Sequence, residues 1–394
     1  MADATRDVWI TGIGIISCLG EGPEAHWRGL SEPSPIVDTK TFAPNVVHAL
    51  CRVDFDKQIP KKGDQRQMEP WQRIGTYAAG LALDSAKAKG NAELLGRMDM
   101  IVAAGGGERD WTADGAILSG LSKADNPDRF LNERLMSDLR PTLFLAQLSN
   151  LLAGNISIVH GVTGSSRTFM GEEAAGVDAT RIALARIKAG QSDIALVGGA
   201  QNGERKDLLM LYEFGGFCLK EQFRTVWDRQ SAPGFALASL GAFVVLESRE
   251  HAERRQAPPL AKLSAIMVES THRRPGSIEA SLDRMWKKLE IPDAQTAVIS
   301  GAPGSEPATA EERAFLTRHP EVAVRATGSH VGHSVEPQFA MNIAIAALAV
   351  NYGKLFPPFD TTGVERPMTS GLAHAVVTGV GHWRGEGLAL VEPV

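Results

Sequence analysis

Cysteine is scarce in this chain: Cys18, Cys51 and Cys218 are the only three in 394 residues. Their irregular spacing offers neither a disulfide framework nor a zinc pattern, and it suits a reducing compartment. Long apolar runs are missing as well. Stretches such as Ile343–Val350 are too short to span a bilayer, so no membrane segment is expected. The opening MADATRDVWITG lacks the apolar core of an export signal, and a cytoplasmic location is expected. No Lys/Arg-rich run or basic stripe occurs and the formal charge is −5, which argues against a nucleic-acid partner. What is there is ordinary globular composition, 43% hydrophobic and 22% charged. The length suffices for two domains or one large double domain.

Apolar, β-branched runs alternate with Ala-rich amphipathic stretches. Strands are expected at Val8–Thr11, Asp99–Gly107, Ile156–Val159, Asp193–Val197 and Gly241–Glu247. Further strands are expected near Ala261–Val268, Ala297–Ser300, Val322–Arg325, Ala375–Thr378 and Leu388–Val391. Helices are expected over Glu69–Gly90, Arg140–Gly154, Ala174–Ala189 and Phe339–Tyr352, with a short one around Glu24–Leu30. Phe42–Arg66 and the segment after Asn202 read as irregular, and Ser248–Pro259 as a charged helix end and linker between residues 1–250 and 251–394. This alternation argues for an α/β protein with helix-covered sheets. Gly12 and Gly14 after the first strand, with Asp38 further on, mimic a dinucleotide fingerprint. Pro23, Pro33 and Pro35 break the helix such a unit needs, so no nucleotide or other cofactor is expected.

The organising stretch is GVTGSSRTFMGEEAAG, Gly161–Gly176, between a strand and a helix whose first turn holds Glu172 and Glu173. Helix N-termini at such turns stabilise a thiolate or a developing oxyanion, which is why nucleophiles are often mounted there. The segment resembles the active-site region of the β-ketoacyl-acyl-carrier-protein synthases, condensing enzymes of the thiolase superfamily, whose pattern reads roughly GLKGPNLTVSTACATG. The two align without a gap, and the family's nucleophilic Cys falls on Glu173. Residues 227–247, WDRQSAPGFALASLGAFVVLE, resemble a second family stretch around Phe235, with one extra residue before Gly234. The resemblance covers nearly the whole chain and implies the five-layered αβαβα thiolase fold, built from two duplicated halves.

The same resemblance implies an altered site. The family's Asn-Ala-His-Gly-Thr motif falls on Ser300–Ser305, with Pro303 at the His position. Its Lys-Ser-x-x-Gly-His motif falls on Gly328–His333, which keeps His333 and loses the Lys. The C-terminal glycine turn becomes Val377–His382, so Thr378, Gly379, Val380 and Gly381 stand where a tunnel or oxyanion loop is implied, with both Phe positions made smaller. Condensation needs a nucleophile to carry the acyl chain and imidazoles to stabilise charge. The implied function is therefore that of a non-condensing subunit of the chain-length-factor type, in fatty acid or polyketide-type acyl chain biosynthesis. Implied partners are an active ketoacyl synthase subunit, or a second copy of this chain, and an acidic acyl carrier protein. Lys57, Lys61, Lys62, Arg205 and Lys206 are candidates for the carrier contact. The alternative is an acyltransferase, malonyl decarboxylase or thioesterase using Glu173 and His333. Two plainer roles stay open: acids in a helix first turn for Glu172 and Glu173, and a core histidine bonded to backbone for His333.

Overall fold

The first β-branched run, VWITGIGIIS, forms one unbroken strand, β1 (Val8–Ser17), with every residue buried. The computed structural model that contains it describes residues 6–139, 143, 147–292 and 295–394. Gly12 and Gly14 are therefore not a turn after a short strand. They lie inside β1, where a helix crosses so closely that a Cβ at Gly14 would sit 2.0 Å from the Ala78 carbonyl oxygen. That helix is α1 (Pro70–Ser85), started by Pro70 and by a reciprocal capping box between Glu69 and Gln72.

Four more strands complete the first half of the sheet: β2 (Asp99–Ala103), β3 (Ser166–Phe169), β4 (Ile194–Gln201) and β5 (Leu240–Ser248). The second half holds β6 (Ala261–Glu269), β7 (Thr296–Ser300), β8 (Ala323–Ala326), β9 (His374–Val380) and β10 (Glu386–Glu392). Their spatial orders are β1-β5-β4-β2-β3 and β6-β10-β9-β7-β8. In each half the first two pairings are antiparallel and the last two parallel. The same winding thus occurs twice, and the halves meet where β1 pairs with β6 at Trp9 and Ile10.

Helices cover and separate these sheets. α1 and α2 (Leu151–His160) lie outside the first half, α5 (Ser277–Leu289) and α6 (Ala308–Thr317) outside the second. Between them run α3 (Glu172–Lys188) and α7 (Gln338–Asn351), which touch each other and strands of both halves. The result is five layers, αβαβα. Residues Gln338–Val350 of α7 are all buried, as a helix sandwiched between the two halves of the sheet requires.

Several expectations need correction. Ile156–Val159 is helical, within α2: Leu152, Ala153, Ile156 and His160 form its buried face, Ile158 is exposed, and Gly161 ends it at φ 77°. The helix expected at Arg140–Gly154 lies partly outside the described residues; only its end, from Leu151, belongs to α2. The strand before the turn at Gly171 is instead β3. The segment after Asn202 is regular, forming α4 (Lys206–Phe214), and the charged linker carries a helix over Arg249–Arg254. Phe42–Arg66 includes a two-residue strand, Val47–His48. It also holds a 3-10 turn at Phe55–Lys57 and the start of a helix at Lys62–Gln67. No helix among the described residues is long and apolar enough to cross a membrane.

Candidate functional site

Chain geometry at the start of α3 aims one side chain inward. Gly171 has φ 128°, and Glu172 follows at φ 54°, a conformation that costs a non-glycine residue roughly 1–2 kcal/mol. The bend leaves Glu172 partly exposed, its nearest cation being Arg384 Nε at 3.6 Å, and buries Glu173 to 4% exposure. Two imidazoles meet Glu173 there. His333 Nε2 donates to its Oε1 at 2.7 Å, and His382 Nδ1 at 2.8 Å. The backbone N–H of His382 adds a longer contact at 3.3 Å.

Each imidazole is fixed from behind. The His333 N–H donates to the Ala236 carbonyl at 2.8 Å, and its carbonyl accepts from Ala238 at 3.0 Å, stitching it to the segment that follows Phe235. The turn bearing His382 closes through Gly381 N–H to the Gly385 carbonyl, 2.9 Å. Arg273 pins the same turn, donating to the Gly381 carbonyl at 2.6 Å and pairing with Glu386. Phe235 packs on both rings, with centroids 4.9 Å from His333 and 5.5 Å from His382, while Phe217 and Tyr212 flank His382 at 4.8 and 5.5 Å.

Burial alone would push the Glu173 carboxyl up. The charge of His382 and the hydrogen bonds from both imidazoles outweigh it and hold the carboxyl well below the usual carboxylate range. Burial likewise opposes a charge on His382, but Glu173, with Glu172 and Glu336 further off, raises it overall. The carboxylate is thus an anion whose Oε1 already accepts from both imidazoles. Beside the cluster lies a cavity of about 460 Å³ lined by Glu172, Gln201, Arg205, Tyr212 and Glu336 among others. Glu336 is buried, its Oε2 lacks a partner, and burial, then Glu173, raises its carboxyl to about 7.

The other expected residues are distributed around this core. Pro303 is buried, and its carbonyl accepts from Arg229 Nη1 at 3.3 Å. Arg229 also binds the Gly234 carbonyl at 3.2 Å, next to Phe235, so the Pro303 segment joins the site through backbone. Thr378, Gly379 and Val380 are not in a loop but in β9; only Gly381 lies in the turn. A Cβ at Gly381 would sit 2.1 Å from the Arg384 carbonyl oxygen and 3.3 Å from Glu173 Oε2, so the turn fits against Glu173 only with glycine there. Thr378 Oγ1 donates to Glu312 Oε1 at 2.6 Å and accepts from the Gly301 N–H at 2.9 Å. Arg205 is not a surface cation. Its guanidinium is 8% exposed and donates to the carbonyls of Gly106 and Gly107 and to Asp207. Lys57 pairs with Glu21 and Lys62 with Asp56, while Lys61 and Lys206 are exposed. None of the three cysteines has taken the nucleophile's place: burial pushes the Cys18 and Cys218 thiols up to about 12, and Cys18 lies against His48, not His333.

Sequence reasoning assigned no role to His382 or Glu336. The signal for His382 is an imidazole directly after a glycine at a strand end, where the family's turn has only glycine. Glu312, at the far end of the Thr378 chain, was also missed. It is fully buried, which raises it to about 7, against an ordinary value of 4.5. A raised carboxyl stabilises the fold fully below its unfolded value and loses that stability as pH rises toward the folded one. Across roughly pH 4.5–7 the wild type is therefore expected to lose about 1.4 kcal/mol per pH unit relative to Glu312→Gln. Urea unfolding of both proteins at several pH values checks this; parallel curves would mean that Glu312 does not titrate in the window.

Known proteins share this architecture. Residues 5–252 match the model of the β-ketoacyl synthase N-terminal domain. The 3-oxoacyl-[acyl-carrier-protein] synthase 2 of Vibrio cholerae is 26% identical over 271 residues, covering 66% of this chain and 62% of that protein, just under two thirds of the relative's length. The tetracenomycin polyketide synthase ketoacyl synthase beta subunit of Streptomyces glaucescens is 27% identical over 383 residues, covering 92% and 90%. The solved ishigamide ketosynthase/chain length factor superposes with a TM-score of 0.80 at 19% identity, covering 99% of this chain and 100% of that one, which speaks for the fold. With the matched model spanning well over half of its length and the same layered fold around the turn at Glu173, this chain belongs to the β-ketoacyl synthase family.

Proposed function

We propose that this chain is a non-condensing ketoacyl-synthase-like subunit that pairs with an active synthase and shapes acyl-chain products built on an acyl carrier protein. The observation that carries the reading is the state of Glu173. It occupies the place where the family resemblance puts the nucleophilic sulfur, and it is a buried anion engaged by two imidazoles. A carboxylate so engaged is a poor nucleophile, and it repels the carboxylate of a malonyl group. Pro303 supplies neither a donor nor a titratable group at the second imidazole position. The matched beta subunit and the ketosynthase/chain length factor structure support a paired role.

The surface that suits a synthase partner is the sheet edge at β3. The main sheet ends there, Ser166 and Arg167 are exposed, and an unpaired edge offers backbone groups to a second chain. Ile158 and Met170, exposed by 72% and 65%, flank it in sequence. Lys57, Lys61, Lys62 and Lys206, all exposed, remain as candidate carrier contacts, now without Arg205.

The test combines two measurements. Incubated with malonyl- and acyl-loaded carrier protein, the purified chain is expected to release no carbon dioxide or free acid above buffer and to acquire no acyl mass. Co-expressed with a synthase encoded beside it, it is expected to co-purify as a heterodimer. Product release abolished by Glu173→Ala would instead establish the hydrolytic or decarboxylating alternative, and the absence of any heterodimer would remove the partner role.

A further inference from the structure

We propose that Glu173, His333 and His382 form a binding site for one divalent transition-metal ion of the zinc class. The three groups arrive from separate parts of the fold: the first turn of α3, the stretch before α7, and the turn between β9 and β10. Their ligand atoms, a carboxylate oxygen, His333 Nε2 and His382 Nδ1, all lie within 4.8 Å of one another. Two imidazoles and one carboxylate, with no thiolate, are a donor set suited to Zn²⁺, Co²⁺ or Fe²⁺ more than to Mg²⁺ or Ca²⁺.

Geometry favours insertion. Bonds of about 2.0–2.2 Å to nitrogen and oxygen place neighbouring ligands on the order of 3.0–3.5 Å apart. The present N···O separations of 2.7 and 2.8 Å need to open by about 0.2–0.8 Å, while the two imidazole nitrogens start within 4.8 Å of each other. Both imidazoles are already held in place: backbone hydrogen bonds stitch His333, Phe235 packs on both rings, and Phe217 and Tyr212 flank His382. Charge favours it too. Glu172, Glu173 and Glu336 influence this one region, and the buried Glu336 Oε2 in the adjoining cavity lacks a partner. A dication would offset them, taking the place of the protons that the two imidazoles now donate to Glu173.

The inference goes beyond the partner reading and does not depend on it, since its readout is metal content and not activity. The full-length chain, stripped with chelator, is titrated with Co²⁺ and then Zn²⁺. One equivalent of Co²⁺ is expected to bind with visible d–d absorption that Zn²⁺ abolishes. His382→Ala and Glu173→Gln are each expected to weaken binding by about a hundredfold or more, beyond the ten- to hundredfold of an outer-shell loss. X-ray absorption of the Co²⁺-loaded wild type, which needs no variant to fold, is expected to show two imidazoles. Absence of saturable binding, binding unchanged in both variants, or a coordination shell without two imidazoles would each overturn the site.

Discussion

Replacing His333 and His382 together by alanine is expected to destabilise the metal-free fold by about 3–5 kcal/mol, the usual cost of stranding a buried charge. Glu173 would keep one long backbone contact, at 3.3 Å, and its position at a helix N-terminus. Neither replaces the two imidazoles that now hold it ionised. Either single substitution is expected to cost clearly less, because the remaining ring still donates to Oε1. The decisive comparison adds Glu173→Leu to the double variant. If the stranded anion carries the effect, removing it restores much of the lost stability, as apolar replacement of buried ion clusters often does. Urea denaturation of the four proteins measures this. A triple variant as unstable as the double would place the cost in lost packing around Phe235 and Phe217.

Legibility from sequence followed the range of the interactions. α7 could be read directly, because Pro337 precedes a long apolar run broken only by Asn342 after its first residue, Gln338. The strands of the second half were located to within two residues at either end, since each centres on a short, mostly apolar run. Local rules failed where a neighbour decides. Ile156–Val159 looks like a strand by composition, yet α1 packs on α2, and Ile156 is buried there in a helix. Gly12 and Gly14 look like a turn, but their lack of side chains serves the helix above them. The site divides the same way. Glu173 and His333 were found by alignment to a motif, whereas His382 meets Glu173 across 209 residues and carries no periodic signal. Arg205 read as a surface cation because nothing local says that its donors end on the carbonyls of Gly106 and Gly107.

The crossing of α1 over β1 predicts the second large effect. Gly14→Ala is expected to prevent stable folding, at a cost of at least about 4 kcal/mol, in the range reserved for gross overpacking. The added methyl would lie 2.0 Å from the Ala78 carbonyl oxygen, 2.3 Å from the Ala82 nitrogen and 2.9 Å from its Cα. All three are backbone atoms, so no rotamer change relieves the clash. α1 would have to lift from β1 and β5, whose central residues are 0–1% exposed against it. Because α1 also contacts α2 and β4, the lift would loosen the outer layer that supports the first half of the sheet. Gly115→Ala is the control: it lies in the helix Trp111–Leu121 with nothing within 4 Å of the new methyl. There the lower conformational entropy of alanine should stabilise by about 0.5–1 kcal/mol. Soluble yield and circular dichroism separate the two, and a folded Gly14→Ala protein of wild-type stability would mean that α1 does not sit as close to β1 as its glycines imply.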